Sequence, residues 1–246
     1  MCKSWLQEKQ LSSSTNMMAA EIVVFCLFSS IFSTVASLKC QTCLVFGKEC
    51  TEEDVKMVEC KNEEKMCSSM ITNNTLTNIS ISLMIKRCSK PEECYEGFYS
   101  STTVDGRHEL SNGHCCQTDG CNADSLHLPN YDEFQPNGLQ CLGCYAQDAD
   151  SCEGHQSVIC LDKQDQCVNT AFSVQAFGNH TDKYSYQGCT TKNACSYPIG
   201  MSELAGGLFH FNVTTLECRN ASSHDPDLIL VRKEEPSPYL LEDLSK

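Results

Sequence analysis

The stretch Cys115-Cys116-Gln117-Thr118-Asp119-Gly120-Cys121-Asn122 ends a series of ten cysteines, and a second series of eight follows it. The first series is Cys40, Cys43, Cys50, Cys60, Cys67, Cys88, Cys94, Cys115, Cys116 and Cys121. The second is Cys141, Cys144, Cys152, Cys160, Cys167, Cys189, Cys195 and Cys218. Successive steps are 3, 7, 10, 7, 21, 6 and 21 residues in the first series and 3, 8, 8, 7, 22, 6 and 23 in the second. The chain therefore contains two copies of one unit.

The number of cysteines indicates a disulfide framework in a secretory protein. Each repeat covers about 80 residues, a length at which a single apolar core is marginal and disulfides are usual. Both series have an even number of cysteines, as a closed set of disulfides requires. Disulfides persist in oxidising compartments, so we expect the protein to be secreted. Spacing alone does not select one pairing among the many that eight or ten cysteines allow.

The N-terminus is expected to be a signal peptide, residues 1–37, with an extended region before its apolar run at 22–35. Small residues follow that run at a cleavage site, which places the mature start at Leu38. Initiation at Met17 or Met18 is an alternative. A membrane anchor is the weaker interpretation, because about 14 apolar residues are too few to span a bilayer comfortably.

The charge and the C-terminal sequence narrow the class of partner. The net charge of −14 argues against nucleic acid and against anionic membrane surfaces. It is compatible with a basic protein partner, although acidity also serves simply to keep an extracellular protein soluble. Residues 223–246 contain one short apolar run, at 228–231, with charges after it. We therefore expect a flexible acidic tail with no lipid anchor.

Alternation of residue types predicts an all-β protein. In the interval from Cys67 to Cys88, the apolar residues alternate with smaller ones towards the second cysteine, and Asn73-Asn74 lies near the predicted turn. The matching interval of repeat two has the same character, and residues 103–106 carry another hairpin signal. The alternating residues are Ile79, Ile81, Leu83 and Ile85 in repeat one and Val168, Phe172, Val174, Ala176, Tyr184 and Tyr186 in repeat two. No stretch of the mature chain is typical of a long amphipathic helix.

Five N-glycosylation sequons are present, at Asn73, Asn78, Asn179, Asn212 and Asn220. We expect some of them to carry sugar in a secreted chain. Three lie in the central hairpin intervals, where a glycan keeps the hairpin in solvent and blocks protein contact at its site.

The repeated cysteine series, which we call the cysteine ladder, ends in Cys-Cys-x4-Cys-Asn in repeat one. It resembles the lymphocyte-antigen/urokinase-receptor (Ly6/uPAR) three-finger domain, also called snake-toxin-like. The resemblance covers nearly all of residues 38–220 and implies three β-stranded fingers on a disulfide palm. It divides the chain into a first domain at 38–124, a linker at 125–138 and a second domain at 139–222.

The resemblance also implies a connectivity. In repeat one it pairs Cys40–Cys67, Cys43–Cys50, Cys60–Cys88, Cys94–Cys115 and Cys116–Cys121. In repeat two it pairs Cys141–Cys167, Cys144–Cys152, Cys160–Cys189 and Cys195–Cys218. Repeat two departs from the family at its end, where Arg219 replaces the second cysteine of the doublet and the last short-loop disulfide is missing.

Catalysis and metal binding are not expected, and neither is a cofactor. The two Cys-x2-Cys pairs, Cys40/Cys43 and Cys141/Cys144, are the spacing of some zinc and redox sites, but the secretory setting favours disulfides. The histidines are scattered. His108 and His114, near Asp105 and Glu109, are interpreted as exposed polar groups of a hairpin rather than as a catalytic set.

Binding is the function that a disulfide-fixed scaffold favours, because its loops are presented with little ordering cost. Aromatic residues are the candidate contacts, with ordinary strand packing as the stronger alternative. They are Phe98, Tyr99, Tyr184, Tyr186, Phe209 and Phe211.

Two domains, the incomplete second set and the polar tail together resemble the gamma-type phospholipase A2 inhibitors. This resemblance implies a secreted, extracellular protein that occludes a secreted phospholipase A2, and it makes a homo-oligomer an expectation. The alternative is an extracellular ligand or receptor-modulating protein of the same family without phospholipase inhibition. An anchored receptor is a third hypothesis, which the charged C-terminus disfavours.

Overall fold

The computed structural model describes residues 37–47, 49–176, 180–204 and 207–223, and within these ranges the chain forms twelve β-strands. Those of repeat one are β1 (Lys39–Phe46), β2 (Lys56–Glu59), β3 (Met66–Asn74), β4 (Ile81–Ser89), β5 (Gly97–Thr103) and β6 (His108–Cys116). Those of repeat two are β7 (Pro136–Gln147), β8 (Gln156–Leu161), β9 (Gln166–Ala176), β10 (Thr181–Thr190), β11 (Gly200–Leu204) and β12 (Phe209–Asn220).

The prediction of an all-β protein is confirmed. In the described part of the chain, helical structure is limited to four short 3-10 turns, the longest being Lys192–Ser196. None of the helices in these ranges is long and apolar enough to cross a membrane. The predicted central hairpins are β3 with β4 and β9 with β10. The predicted turn after Ala176 lies outside the described residues.

Both repeats have the same strand order, β2-β1-β4-β3-β6-β5 in the first and β8-β7-β10-β9-β12-β11 in the second. All neighbouring strands are antiparallel. Consecutive strands pair as β1–β2, β3–β4 and β5–β6, and likewise in repeat two, so each repeat has three hairpin fingers. The two repeats share one strand order because they share one cysteine pattern.

A short strand pairing joins the two repeats into one sheet. Three residues of β10 pair with three residues of β5, with Gly188 opposite Thr103 and Thr190 opposite Ser101. Position 188 requires glycine for a steric reason, because a Cβ there would lie 2.1 Å from the carbonyl oxygen of Thr102. Only glycine allows the two backbones to approach this closely.

Hydroxyl groups line this junction and are fully buried. The Ser101 and Thr190 hydroxyls are 2.7 Å apart, and the Thr190 hydroxyl lies 3.1 Å from the Ser100 carbonyl oxygen, to which it donates. The backbone N–H of Ser100 donates to Oγ1 of Thr191 at 3.1 Å. A buried hydroxyl without a partner costs about 1–3 kcal/mol, so these bonds make a polar junction tolerable.

The linker packs back onto this junction. The Tyr131 ring stacks on His108 with a centroid distance of 3.7 Å. The Tyr131 hydroxyl bonds that of Thr102 at 2.9 Å, and the buried Gln164 amide donates to the same Thr102 hydroxyl at 2.9 Å. Strand β7 starts at Pro136, within the segment predicted as linker. The segment between the repeats is therefore held by contacts with both of them.

Apolar residues from both repeats share one core cluster. Leu83 and Ile85 of β4 pack with Val174, Tyr184 and Phe209 of the second repeat. In the order of the sheet, β4 is separated from β9 and β12 by several strands. The sheet must therefore curl so that one face of repeat one meets the same face of repeat two.

Nine disulfides are formed, and each joins the two cysteines that the resemblance implies. In each repeat two of them lie side by side. The sulfurs of Cys40 and Cys60 are 3.2 Å apart, and those of Cys141 and Cys160 are 3.6 Å apart. These buried cysteines form the centre of each palm, where a thiolate metal ligand is not available because every sulfur is in a disulfide.

The junction predicts the effect of Gly188→Ala. The added methyl group pushes β10 away from the Thr102 carbonyl, so we expect the free energy of unfolding to fall by roughly 1–3 kcal/mol. We also expect a larger radius of gyration, because the repeats lose their shared sheet. Denaturant unfolding and small-angle scattering measure the two effects.

Lys183→Ala is the matched control on the same strand. Lys183 is exposed and makes an exposed ion pair with Asp150 at 2.9 Å, so its loss costs about 0–1 kcal/mol. Equal stability of the two variants would contradict the steric argument.

Candidate binding groove between the two repeats

A groove of about 320 Å³ lies where the central finger of repeat one meets repeat two. One wall is the turn from β3 to β4, together with the end of β1 at Phe46 and Gly47. The facing wall comes from β9, β10 and β12. The lining residues are Phe46, Gly47, Thr77, Asn78, Ile79, Ser80, Ile81, Ser82, Val174, Asp182, Tyr184 and Phe209.

Repeat two holds the turn that forms the first wall. Leu76 is buried against Val168 and Tyr186, and its carbonyl oxygen accepts a hydrogen bond from the Tyr145 hydroxyl. The backbone N–H of Asn78 donates to the Tyr184 hydroxyl at 3.3 Å. This part of the central finger is thus a contact between the repeats, and its backbone is fixed.

Arg107 stabilises the same turn through hydrogen bonds to its backbone. Its Nη1 donates to the carbonyl oxygens of Thr75 and Thr77, each at 3.3 Å. Its guanidinium carbon lies 4.6 Å from the centre of the Tyr145 ring, a cation–π contact between the repeats. Its Nε also pairs with Asp105 at 2.9 Å. The positive charge of Arg107 is therefore compensated by groups of the protein itself.

The groove surface is mainly apolar and partly open to solvent. Phe209 is buried in the shared core, whereas Phe46 is 60% exposed and contacts it edge to face at 6.4 Å between ring centroids. Ile79, in the β3–β4 turn of the same wall, is 65% exposed. Large exposed apolar side chains beside a groove are typical of surfaces that another molecule covers.

The electrostatics of the groove are acidic. Asp182 is the carboxylate among its lining residues, and its Oδ1 lies 3.0 Å from Nε2 of the exposed His180. Burial raises the pKa of Tyr184, and the carboxylates of Asp182 and Asp148 raise it further.

A half-buried carboxyl group lies in the sheet near the junction. Glu109 accepts a hydrogen bond from the Tyr99 hydroxyl at 2.9 Å. Burial raises the pKa of Glu109, although the hydrogen bonds from Tyr99 and Asn74 lower it in part. Burial, together with the charge of Glu109, also raises the pKa of Tyr99 and of Tyr186.

The aromatic residues considered as contacts belong mainly to the core. Tyr99, Tyr184, Tyr186 and Phe209 are buried. Phe98 and Phe211 are half-buried, and Phe211 packs against the shared core cluster. The structure thus supports the packing interpretation over the interface interpretation for this set.

The polar residues noted in the third finger are not grouped into a catalytic set, and they are less exposed than expected. Asp105 pairs with Arg107, and His114 pairs with Glu96 at 3.0 Å. His108 is half-buried by stacking on the linker, and burial lowers its pKa. Glu109 is half-buried rather than exposed, and its carboxylate accepts a hydrogen bond from Tyr99.

The sequons occupy different environments. Asn78 is exposed in the groove wall, whereas Asn73 and Asn212 are half-buried within β3 and β12. Asn220 is exposed at the end of β12, where its amide oxygen accepts a hydrogen bond from Gln166 at 3.1 Å. Asn179 lies outside the described residues.

Sequence reasoning missed Phe46 and Asp182 as groove residues. Phe46 follows the first cysteines of the ladder and has no alternating pattern around it that marks a surface role. Asp182 is one of many acidic residues. Only the curl of the sheet brings these two side chains to one groove.

The half-buried carboxyl group of Glu109 predicts an effect of pH. A raised folded pKa means that the unfolded chain loses this proton first as pH rises. The free energy of unfolding therefore falls as pH rises from below about 4.5 through the folded pKa, and then stays level. Glu109→Gln keeps an acceptor for Tyr99 without a charge, so we expect its stability relative to the wild type to increase from pH 4 to pH 7 in urea unfolding.

The control is Glu52→Gln, which changes an exposed carboxylate in the first finger. Its stability difference from the wild type should change little over the same pH range. A Glu109→Gln difference that is constant with pH, or that has the opposite slope, would refute a raised pKa.

Comparisons with known proteins place this architecture in a family. The u-PAR/Ly-6 domain family model matches residues 36–124 and 137–226. Phospholipase A2 inhibitor NAI of Notechis ater is 26% identical over 171 residues, covering 70% of this chain and 82% of that protein. The phospholipase A2 inhibitor 25 kDa subunit of Naja kaouthia is 24% identical over 159 residues, covering 65% of this chain and 83% of that protein.

A receptor is also among the relatives. The urokinase plasminogen activator surface receptor of Bos taurus is 27% identical over 195 residues, covering 77% of this chain and 54% of that protein. Since the family model covers both cysteine ladders and most of the chain, the protein belongs to the u-PAR/Ly-6 domain family and carries two such domains in tandem.

Proposed function

We propose that this chain is a secreted, non-enzymatic binding protein that inhibits a secreted phospholipase A2 by covering part of its surface. The support from similarity is the alignment with two proteins named as phospholipase A2 inhibitors, over 82% of the length of one and 83% of the other. The structural observation that carries the proposal is an open apolar groove with an acidic side chain, built by both domains together.

The chemistry of the target fits this groove. An enzyme that works on lipid aggregates needs exposed apolar side chains to dock on a lipid surface. Such a side chain can insert between Phe46 and Ile79, both of which are exposed. Covering that surface keeps the enzyme from its substrate without any covalent step.

Charge complementarity indicates which secreted phospholipases are the preferred targets. The chain has a net charge of −14, and the charged residue in the groove lining is Asp182. A basic phospholipase is attracted by this field, which raises the rate of encounter more than the final affinity. We therefore propose basic members of the enzyme class as the preferred targets.

The extracellular location rests on the disulfides and the sequons. The nine disulfides of the described residues, five in the first repeat and four in the second, favour an oxidising compartment. Export also gives the sequons access to the glycosylation machinery. Secretion follows as part of the same proposal.

The second candidate function is binding of a non-enzyme protein, as an extracellular ligand or a receptor modulator. The similarity to the Bos taurus receptor, at 27% identity over 195 residues, favours it. The two hypotheses separate by affinity capture from tissue fluid with the full-length protein. Recovery of a cell-surface receptor without any phospholipase favours this second function.

The test of the first function uses a matched pair of variants. Phe46 and Ile159 are 60% and 56% exposed, but only Phe46 lines the groove. We expect the secreted protein to bind and inhibit at least one basic secreted phospholipase A2. Phe46→Ala should weaken binding about tenfold, the loss typical of an interface anchor, while Ile159→Ala leaves it unchanged. Calorimetry and a hydrolysis assay give the two readouts.

Two results would contradict these statements separately. Absence of binding to every enzyme of a basic and acidic panel rules out the inhibitor function. Equal binding by wild type and Phe46→Ala, with inhibition retained, rules out the groove as the contact surface.

A further inference from the structure

A complete sequon forms the lip of the groove. Asn78, Ile79 and Ser80 all line it, and all three residues are exposed. Among the sequons in the described ranges, Asn78 is the one whose side chain belongs to the groove lining. A sugar attached there starts at the edge of the apolar surface.

The root of this sugar is held in a fixed direction. The amide oxygen of Asn78 accepts a hydrogen bond from Gln147 Nε2 at 2.5 Å, and its backbone N–H donates to the Tyr184 hydroxyl. The Thr77 hydroxyl donates to the carbonyl oxygen of Ile79 at 2.7 Å. Within the described residues no hydrogen bond is recorded for Nδ2, the atom that an N-linked sugar uses. A fixed root lowers the entropy cost of ordering the first sugars.

The surface beside the root suits carbohydrate. The exposed Phe46 ring and the Ile79 side chain offer apolar contact to the C–H faces of a pyranose, which gain dispersion energy there. Sugar hydroxyls that point outward stay in water, and Asp182 offers an acceptor on the far wall. Exposed apolar area that is costly in a secreted protein is thereby covered.

The sequons at Asn73 and Asn212 lie within strands and differ from Asn78 in their position relative to the groove. Asn73 pairs with Ser82 of β4 and is half-buried, and it is not among the residues that line the groove. Asn212 lies between Phe211 and Val213, and Phe211 packs on the shared core, so Asn212 faces away from that core. Sugars at these two sites leave the groove open.

We propose that an N-linked glycan on Asn78 lies over the groove and closes it to protein partners, so that the glycoform of this one residue controls binding. The effect on a phospholipase rests on the proposed function, whereas the covering of the groove does not. Serine sequons are glycosylated less completely than threonine sequons, and this sequon ends in Ser80. The secreted protein is then a mixture of an open and a closed form.

The test removes the sugar but keeps the asparagine. Ser80→Ala abolishes the sequon and leaves the hydrogen bond from Gln147 to Asn78 in place. Ser222→Ala is the matched control, since it removes the other serine sequon, at Asn220, and the Ser222 hydroxyl has no hydrogen-bond partner among the described groups. Wild type and both variants are secreted from animal cells, and glycopeptide masses give the occupancy of Asn78.

The first readout is the fluorescence of bis-ANS, a dye that binds exposed apolar surface. We expect the closed wild-type form to bind it weakly, Ser80→Ala to bind it several-fold more strongly, and Ser222→Ala to match the wild type. Adding Phe46→Ala to Ser80→Ala should reverse the gain and so assign the dye to the groove. Endoglycosidase trimming of folded wild type to its first sugar should give the same gain without a mutation.

The outcomes separate the two proposals. An Asn78 peptide that never carries sugar, or equal dye binding by glycosylated wild type, trimmed wild type and Ser80→Ala, overturns the cover. A gain in dye binding with no phospholipase bound by any form supports the cover and rejects the inhibitor function. A gain in both dye binding and phospholipase binding for Ser80→Ala, with Ser222→Ala unchanged, supports both.

Discussion

Backbone pairing between β5 and β10 holds the two repeats in one orientation, and the groove depends on that orientation. The contact involves three residue pairs and needs a bare backbone at Gly188, where a Cβ would meet the Thr102 carbonyl at 2.1 Å. Once the strands are joined, the sheet curls and the apolar faces of the repeats meet at Leu83 and Phe209. Each repeat has its own disulfides, but none of the nine crosses between repeats. The geometry of the binding surface therefore rests on noncovalent contacts.

The polar character of this junction has a physical advantage over an apolar one. Hydrogen bonds are directional, so the hydroxyls of Ser101 and Thr190 and the amide of Gln164 are satisfied in one register only. A slip by one residue would leave buried hydroxyls without partners, at about 1–3 kcal/mol each. The apolar cluster beyond the junction supplies stabilisation that is less sensitive to position. Together the two kinds of contact give a single arrangement of the domains.

Much of the fold was predictable from the sequence, because its signals are local or repeated. The step pattern of the cysteines predicts the duplication, and alternation around Leu83 and Tyr184 predicts the central hairpins. The junction was not predictable in this way. A run of serine and threonine at 100–103 is equally typical of an exposed edge strand, and its burial results from a partner about ninety residues away. The position of Leu76 is similar, since a lone leucine in a polar turn gives no sign that repeat two covers it.

The two faces of the curled sheet then have different roles. Asn73 and Asn212 lie outside the groove lining, and sugars attached there would exclude a protein partner from their surroundings. The groove face keeps its exposed apolar side chains, and the sequon at its lip is the one for which sugar and protein compete for the same surface. Phe46 and Ile79 leave apolar area exposed at this lip, which either occupant would cover. Under the proposal made for Asn78, the glycosylation state of that residue decides which of the two covers the groove.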